Sequence, residues 1–413
     1  MAEVLTTSPE ARAEREARLR PRAAAIYEEV TDGLQRSLRM AEVVYAAAER
    51  HPDLLPSRAA IDAERELPQK DKQGLEIEQG VFFAHVLAHP RCGPHLLHAM
   101  AQPKAEAVDL IDAFRDSGSA DLGVVRVDRD GEIGTITTQN NAFLNSEDDP
   151  SVAALETAID LVLLDDAIRV GVLRGGPATH PKYTGRRIFG SGLNLTHLYY
   201  GKISLVEFMF ERELGALSKM YRGHDLAPVP GSGAGADDAA RDPLGALEDR
   251  REKPFVAAVE SFAIGGACQI LLVMDRVIAE TGSYFNLPAR KEGIIPGCAN
   301  LRLPRFVGER PTRQAILFNR DFAAESAEGR MLADEVLPSG EIDGAITRAA
   351  TELMSAGPTS LVANRRQLRV AAEPLEVFRR YLAGYAREQA YCFYSPALID
   401  NLERNWEAKR RSV

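Results

Sequence analysis

Apolar and polar positions change rhythm twice along this 413-residue chain. From the start to about residue 118, stretches such as Ala23 to Arg50 and Gly80 to Met100 are rich in Ala, Glu, Arg and Leu, with Pro and Gly between them. That texture predicts a series of helices. At Asp121 the rhythm shortens. Two β-rich runs flank Asp130-Gly131 between Leu122 and Thr138, and the turn dipeptide predicts a hairpin. A helical pattern covers Ser151 to Asp165, and an apolar strand follows from Val170 to Arg174, ending in Gly175-Gly176. Pro254 to Val259 reads as a further strand and Gly266 to Met274 as a helix. Strands alternating with helices predict an α/β layered fold. From Ile342 to the end the pattern is helical again. Three regions are therefore expected: a helical domain over 1–118, an α/β core over 119–341, and a helical region over 342–413. Within the core, residues 226–249 are dominated by Gly, Ala, Asp and Pro and read as a mobile surface insertion.

Composition narrows the function. The chain is 45% hydrophobic and carries a formal charge of −10, so a large core is available and a nucleic-acid partner is not expected. An anionic ligand must be met by particular Lys, Arg or backbone donors. Cys92, Cys268, Cys298 and Cys392 are widely spaced, which suggests reduced thiols in a cytoplasmic protein. The first residues mix Glu and Arg without an apolar run, so no secretion signal is expected. The most apolar segment, Phe255 to Ile278, is broken by Glu260, Gln269, Asp275 and Arg276, and reads as buried structure, not a membrane span. His85, His89, Cys92, His95 and His98 cluster in sequence, but no carboxylate completes a metal pattern, and no metal is expected. A GxSxG elbow is missing, and Gly231-Ser-Gly-Ala-Gly has no preceding strand to make it a nucleotide loop.

Two glycine loops carry the chemistry: Phe189-Gly-Ser-Gly-Leu-Asn-Leu, and Phe262-Ala-Ile-Gly-Gly-Ala-Cys-Gln after the strand at Val256. Glycine at a helix start leaves N–H groups free and lets a ligand approach the backbone. Either loop alone is more often a tight turn. Together, and followed by Pro288 to Gly297, they resemble the crotonase superfamily across Asp121 to Val336. The resemblance implies a ββα spiral core and an oxyanion hole for a thioester, with the amides of Leu193 and Gly266 as donors. The positions of the two hydratase carboxylates hold Gln269 and Ala289, neither of which exchanges a proton at neutral pH. Glu292 lies nearby but out of register. Hydration is therefore not expected.

A narrower resemblance, carried by Asn145-Ser-Glu-Asp-Asp, His180-Pro-Lys-Tyr, Gly185-Arg-Arg-Ile-Phe, Glu211-Arg-Glu-Leu-Gly and Lys291-Glu-Gly-Ile-Ile-Pro-Gly, is to the dihydroxyphenylacetyl-CoA dioxygenase branch of that superfamily. It implies Glu147 and Arg212 on the ring hydroxyls and Gln269 beside the reacting carbon. It also implies His180, Lys182, Tyr183, Ser191, Asn194 and Thr196 along the acyl-CoA, and Ile294, Leu398 and Leu402 around O2. No metal or flavin is implied, and CoA enters only as part of the substrate. The implied setting is dihydroxyphenylglycine formation for antibiotic biosynthesis, by a homo-oligomer, a trimer or a hexamer. Residue by residue, plainer readings exist. Glu147 could serve the N-terminus of the following helix, Arg212 could lie on a solvated helix face, Gln269 could satisfy backbone groups, and Leu398 and Leu402 could be ordinary core. Another acyl-CoA reaction (thioester hydrolysis, isomerisation or decarboxylation) and a non-catalytic scaffold are the alternatives.

Overall fold

The structure, a computed structural model, describes residues 5–226, 250–355 and 357–411. Of the expected insertion at 226–249 only Leu226 is described; the rest lies outside the described residues.

The α/β core is built on β1 (Ser119–Asp121), β2 (Val125–Asp130), β3 (Ile133–Thr138), β4 (Ser146–Glu147), β5 (Val170–Gly175), β6 (Gly192–Leu193), β7 (His224–Asp225), β8 (Arg250–Arg251), β9 (Phe255–Val259), β10 (Phe262–Ile264), β11 (Arg276–Glu280), β12 (Tyr284–Asn286), β13 (Phe322–Ala323) and β14 (Glu335–Leu337). Seven of them form one sheet in the order β1-β2-β3-β5-β9-β11-β14. The expected hairpin is β2–β3, antiparallel, with Asp130 opposite Ile133. From β3 onward every neighbouring pair is parallel. A smaller sheet, β10-β12-β13, stands beside it, and β4 and β6 form a short parallel pair of their own.

Burial explains why β5 and β9 are apolar throughout. Side chains alternate across a strand. Val170, Val172, Val256 and Ala258 pack beneath Ile342, Ala345 and Ala349 of the helix Ile342–Ser355. Leu173, Phe255, Ala257 and Val259 face the other way, onto Leu155, Ile159 and Val162 of the helix Asp149–Leu164. Both faces are covered, as parallel sheets require. Each buried Val, Leu, Ile or Phe among them contributes about 1.5–3 kcal/mol.

The chain's two ends form a second core. Phe82, Phe83 and Val86 of the helix Glu76–Ala88 share one cluster with Phe378, Leu382, Ala386 and Ala390 of the helix Leu375–Phe393. Arg379 hydrogen-bonds the Leu87 carbonyl, and Gln69 Nε2 donates to the Phe393 carbonyl at 2.9 Å. The C-terminal helices thus divide between two partners. Ile342–Ser355 covers the sheet, and Leu375–Phe393 joins the N-terminal helices. Among the described residues no helix is long and apolar enough to cross a membrane.

Candidate active site

β6 and the helix Gly266–Leu271 meet where the two glycine loops converge. In the β4–β6 pair the Asn194 amide donates to the Glu147 carbonyl at 2.7 Å. Successive amides of an extended strand point to opposite sides, so the Leu193 N–H faces away from β4. The Gly266 N–H belongs to the first turn of its helix, where amides have no intrahelical acceptor. The two loops touch. Gly192 has φ +76, and a Cβ there would stand 2.6 Å from the Ile264 carbonyl oxygen and 2.9 Å from the Gly266 nitrogen. A Cβ on Gly266 would strike the Glu147 carboxylate. Only glycine permits this approach at either position.

Leu193 and Gly266 line one cavity together with Glu147, Arg212, Gln269 and Ile294. Arg212 organises it. Its Nε and Nη2 donate to the two Glu147 oxygens, both at 3.0 Å; Nη1 donates to Glu213 at 2.9 Å and to Gln269 Oε1 at 3.0 Å; Nη2 also reaches the Gly266 carbonyl at 2.7 Å. Five acceptors thus meet the five N–H groups of one guanidinium. Burial alone would lower its pKa, but Glu147 and Glu213 outweigh that and raise it. The solvated-face reading of Arg212 is therefore wrong: the side chain is buried. It lies in π-helical turns, Leu205–Phe210 and Arg212–Leu217, whose wider winding sequence periodicity does not reveal. Glu147 does not serve the following helix either. Asp148 caps it, accepting from Ser151 N at 3.2 Å, and Ser151 Oγ accepts from Asp148 N at 2.7 Å. Gln269 is held through its Oε1 by Arg212, and among the described residues its amide nitrogen has no hydrogen-bond partner. Ala289 is buried and brings no polar atom.

Other expected residues lie apart from this cavity. Ser191 Oγ donates to the Phe143 carbonyl, Asn194 Oδ1 accepts from the His197 amide, and Thr196 Oγ1 accepts from Trp406 Nε1. These three side chains are spent on local structure. Short polar side chains beside a strand end readily find such partners. His180, Lys182 and Tyr183 sit on a 3-10 turn, with the Lys182 ammonium 5.1 Å from the Tyr183 ring centre and the Tyr183 ring edge-on to Phe262. Lys182 is exposed and free to meet an anion. Ile294 is on the cavity wall. Leu398 and Leu402 lie behind it in the core, where the helix Pro396–Trp406 packs against Gly293.

Three ionisable lining residues were given no role by sequence reasoning. Glu213 adjoins Arg212, but an alternating charge run hides it. Tyr385 comes from the remote helix Leu375–Phe393 and donates to the Met209 carbonyl at 3.3 Å. Glu292, noted only as out of register, ends the short helix Ala289–Glu292 and faces the same cavity. Burial raises its carboxyl to about 7. Among the described residues, no group of three or more His, Cys, Asp or Glu is arranged to hold a metal ion.

Comparison with known proteins places the fold and the chain. Residues 241–391 match the enoyl-CoA hydratase/isomerase family. Two solved structures overlay most of their length on it: a carnitinyl-CoA dehydratase from Mycobacterium avium 104 (TM-score 0.54, 19% identity, 69% of this chain and 97% of that one) and an enoyl-CoA hydratase from Mycobacterium avium subsp. paratuberculosis K-10 (TM-score 0.53, 19% identity, 68% and 98%). At such identities they show the crotonase fold alone. In sequence the chain is 43% identical over 390 residues to the (3,5-dihydroxyphenyl)acetyl-CoA 1,2-dioxygenase of Amycolatopsis orientalis, covering 94% of this chain and 86% of that protein. The chain belongs to the enoyl-CoA hydratase/isomerase, or crotonase, family.

Proposed function

We propose that this protein is a cofactor-independent dioxygenase that converts 3,5-dihydroxyphenylacetyl-CoA and O2 into 3,5-dihydroxyphenylglyoxylate and free CoA. The observation that carries the reading is one cavity lined by Leu193 and Gly266 beside a carboxylate–guanidinium–amide cluster, with no carboxylate at the hydratase positions. The similarity to the Amycolatopsis orientalis dioxygenase supports it.

The steps follow from the parts. The Leu193 and Gly266 N–H groups receive the thioester oxygen, and each such donor typically supplies about 2.7–4 kcal/mol to a developing oxyanion. The substrate Cα–H lies between a thioester and an electron-rich ring, and both spread the charge left by its loss. Glu147 keeps lone pairs beyond those Arg212 uses, so it accepts hydrogen bonds from ring hydroxyls while Arg212 fixes its orientation. Gln269 Nε2 donates to a ring or peroxide oxygen. The carbanion gives an electron to O2, the peroxide formed at Cα attacks the thioester carbonyl, and CoA leaves. O–O cleavage with loss of the second Cα hydrogen gives the 2-oxo acid. Such a carbanion reduces O2 without help from metal or flavin. Lys182 and Tyr183 offer a charge and a flat ring to the CoA moiety. A cytoplasmic homo-oligomer and a role in dihydroxyphenylglycine supply complete the proposal.

The test is oxygen uptake with labelled O2. Uptake with label in the glyoxylate is the expected result. Product without label would move the protein to another acyl-CoA reaction, for which the proton-carrying Glu292 is the supporting feature.

A further inference from the structure

The proposed reaction begins by removing a proton from Cα, and no residue has yet been given that task. Five ionisable side chains line the cavity: Glu147, Arg212, Glu213, Glu292 and Tyr385. Four are unsuited. Arg212 stays charged. Glu147 and Glu213 are both engaged by the Arg212 guanidinium, at 3.0 and 2.9 Å, which holds their carboxylates in place against it. Burial, reinforced by Glu213, pushes the Tyr385 phenol well above its usual range, so it is neutral and holds its own proton.

Glu292 differs from all of these. Among the described residues no side chain or amide hydrogen-bonds to its carboxylate, and no cation pairs with it. The residue is only 8% exposed. Its Oε1 lies 3.9 Å from where a Cβ on Gly265 would stand, beside the residue whose neighbour supplies the Gly266 amide. Its position is fixed: Gly293, at φ +87, ends the short helix, and its amide donates to the Ala289 carbonyl at 2.7 Å. From the other side the helix Pro396–Trp406 presents Leu398 and the Asn401 amide to Gly293.

We propose that Glu292 is the general base that takes the Cα proton of the bound thioester. The inference rests on the dioxygenase reading above. The Cα–H bond breaks and its proton goes to a Glu292 oxygen. Its electron pair moves into the Cα–carbonyl bond, and the charge collects on the thioester oxygen beneath the Leu193 and Gly266 amides. When CoA leaves as thiolate it needs one proton, and Glu292 holds the one it removed. Atoms and electrons balance without a further reactant.

The surroundings favour this titration. Across the cavity stand Arg212, Glu147 and Glu213, already matched to each other. Arg290 and Lys291 share the short helix, and no shift of Glu292 is traced to either. On Pro396–Trp406, Asp400 and Arg404 are exposed and Glu403 engages Tyr199 and Lys409. On Glu309–Phe318, Glu309, Arg310 and Arg313 are exposed. Removal from water alone sets the carboxyl near 7, where a base is half available at neutral pH.

The experiment is oxygen uptake by the full chain with 3,5-dihydroxyphenylacetyl-CoA across pH, for the parent, Glu292→Gln and Glu292→Asp. Expected for the Gln variant is a kcat loss of about 10²–10⁴-fold with little change in KM, because a positioned base typically contributes that much. The Asp variant recovers part of it. The parent's kcat/KM falls on the acid side through about pH 7, since the base must be deprotonated, and the residual rate of Glu292→Gln lacks that limb. A Gln variant as fast as the parent overturns the assignment. If the Gln variant fails to bind a non-reactive thioether analogue, Glu292→Asp and the parent's pH profile decide, and a flat parent profile between pH 6 and 8 also overturns it. A parent that takes up no O2 overturns the dioxygenase reading and the base with it; an active parent with an equally active Gln variant overturns the base alone.

Discussion

Asp160 and Glu292 are both carboxylates shut away from water, in opposite electrical company. Burial would raise Asp160, but Lys219 Nζ at 2.8 Å, His224 Nε2 at 2.7 Å and the Lys104 amide at 2.7 Å outweigh it and hold the group down to about 2. Lys219 also pairs with Glu156 at 2.7 Å, and Lys219, Asp160 and His224 are fully enclosed. Among the described residues Glu292 has no such partner, and it opens onto a cavity. Burial of charge is thus no mark of chemistry. A matched carboxylate is architecture; an unmatched one beside two free amides is a proton carrier kept at some cost to stability.

The largest effect expected from breaking this contrast is in the sealed cluster. Lys219→Met leaves Asp160 with only His224 and the Lys104 amide, and Glu156 with only Arg39, and should cost about 3–5 kcal/mol of unfolding free energy. Urea denaturation measures it, with turnover per folded molecule unchanged; an unmoved midpoint would deny the cluster its structural role. Next comes the amide pair. Gly192→Ala forces a Cβ against the Gly266 nitrogen and should lower kcat by about 10²–10³-fold, the usual effect of losing one oxyanion donor. Steady-state kinetics checks it, and an active Ala variant would mean the loops need not approach so closely.

Arg212→Ala should cost about 1.5–3 kcal/mol more on the dihydroxylated thioester than on the unhydroxylated phenylacetyl thioester, the scale of a charged hydrogen bond. Comparing kcat/KM for the two substrates decides it, and equal losses count against ring recognition through Glu147. The smallest effect reports Glu292 itself. Its folded value near 7 lies above that of the unfolded chain, so its contribution is intact below the ordinary carboxylate range and is lost as pH rises through 7. Glu292→Gln should therefore gain about 1–3 kcal/mol of stability at alkaline pH and nothing in acid. Asp160 runs the other way: its contribution is present above the ordinary carboxylate range and fades as pH falls toward 2. Urea titrations at the two ends of the pH range show both signs.

Much of this was legible in the chain. The β2–β3 hairpin announced itself through Asp130-Gly131, and β5 and β9 through unbroken apolar runs that only a sheet covered on both faces explains. The glycine loops signalled a close backbone contact, and the family resemblance singled out Leu193 and Gly266 within it, which line one cavity. What stayed hidden depends on partners distant in sequence. Arg212 looked solvated because a wide-turn helix breaks the usual spacing. Glu292 was noticed only as out of register, since its character comes from what fails to surround it. Ser191, Asn194 and Thr196 carry motif positions, yet their side chains answer to Phe143, His197 and Trp406.

Tyr385 stands on the cavity wall although it belongs to a helix near the chain's end that packs with Glu76–Ala88. The order of synthesis therefore matters. A nascent chain can have both amides and the Arg212 cluster in place and still lack one side of its reaction chamber until the helix Leu375–Phe393 has left the ribosome. Oxygen chemistry is thereby withheld from unfinished molecules, and clipping the protein ahead of that helix would reopen the chamber to solvent.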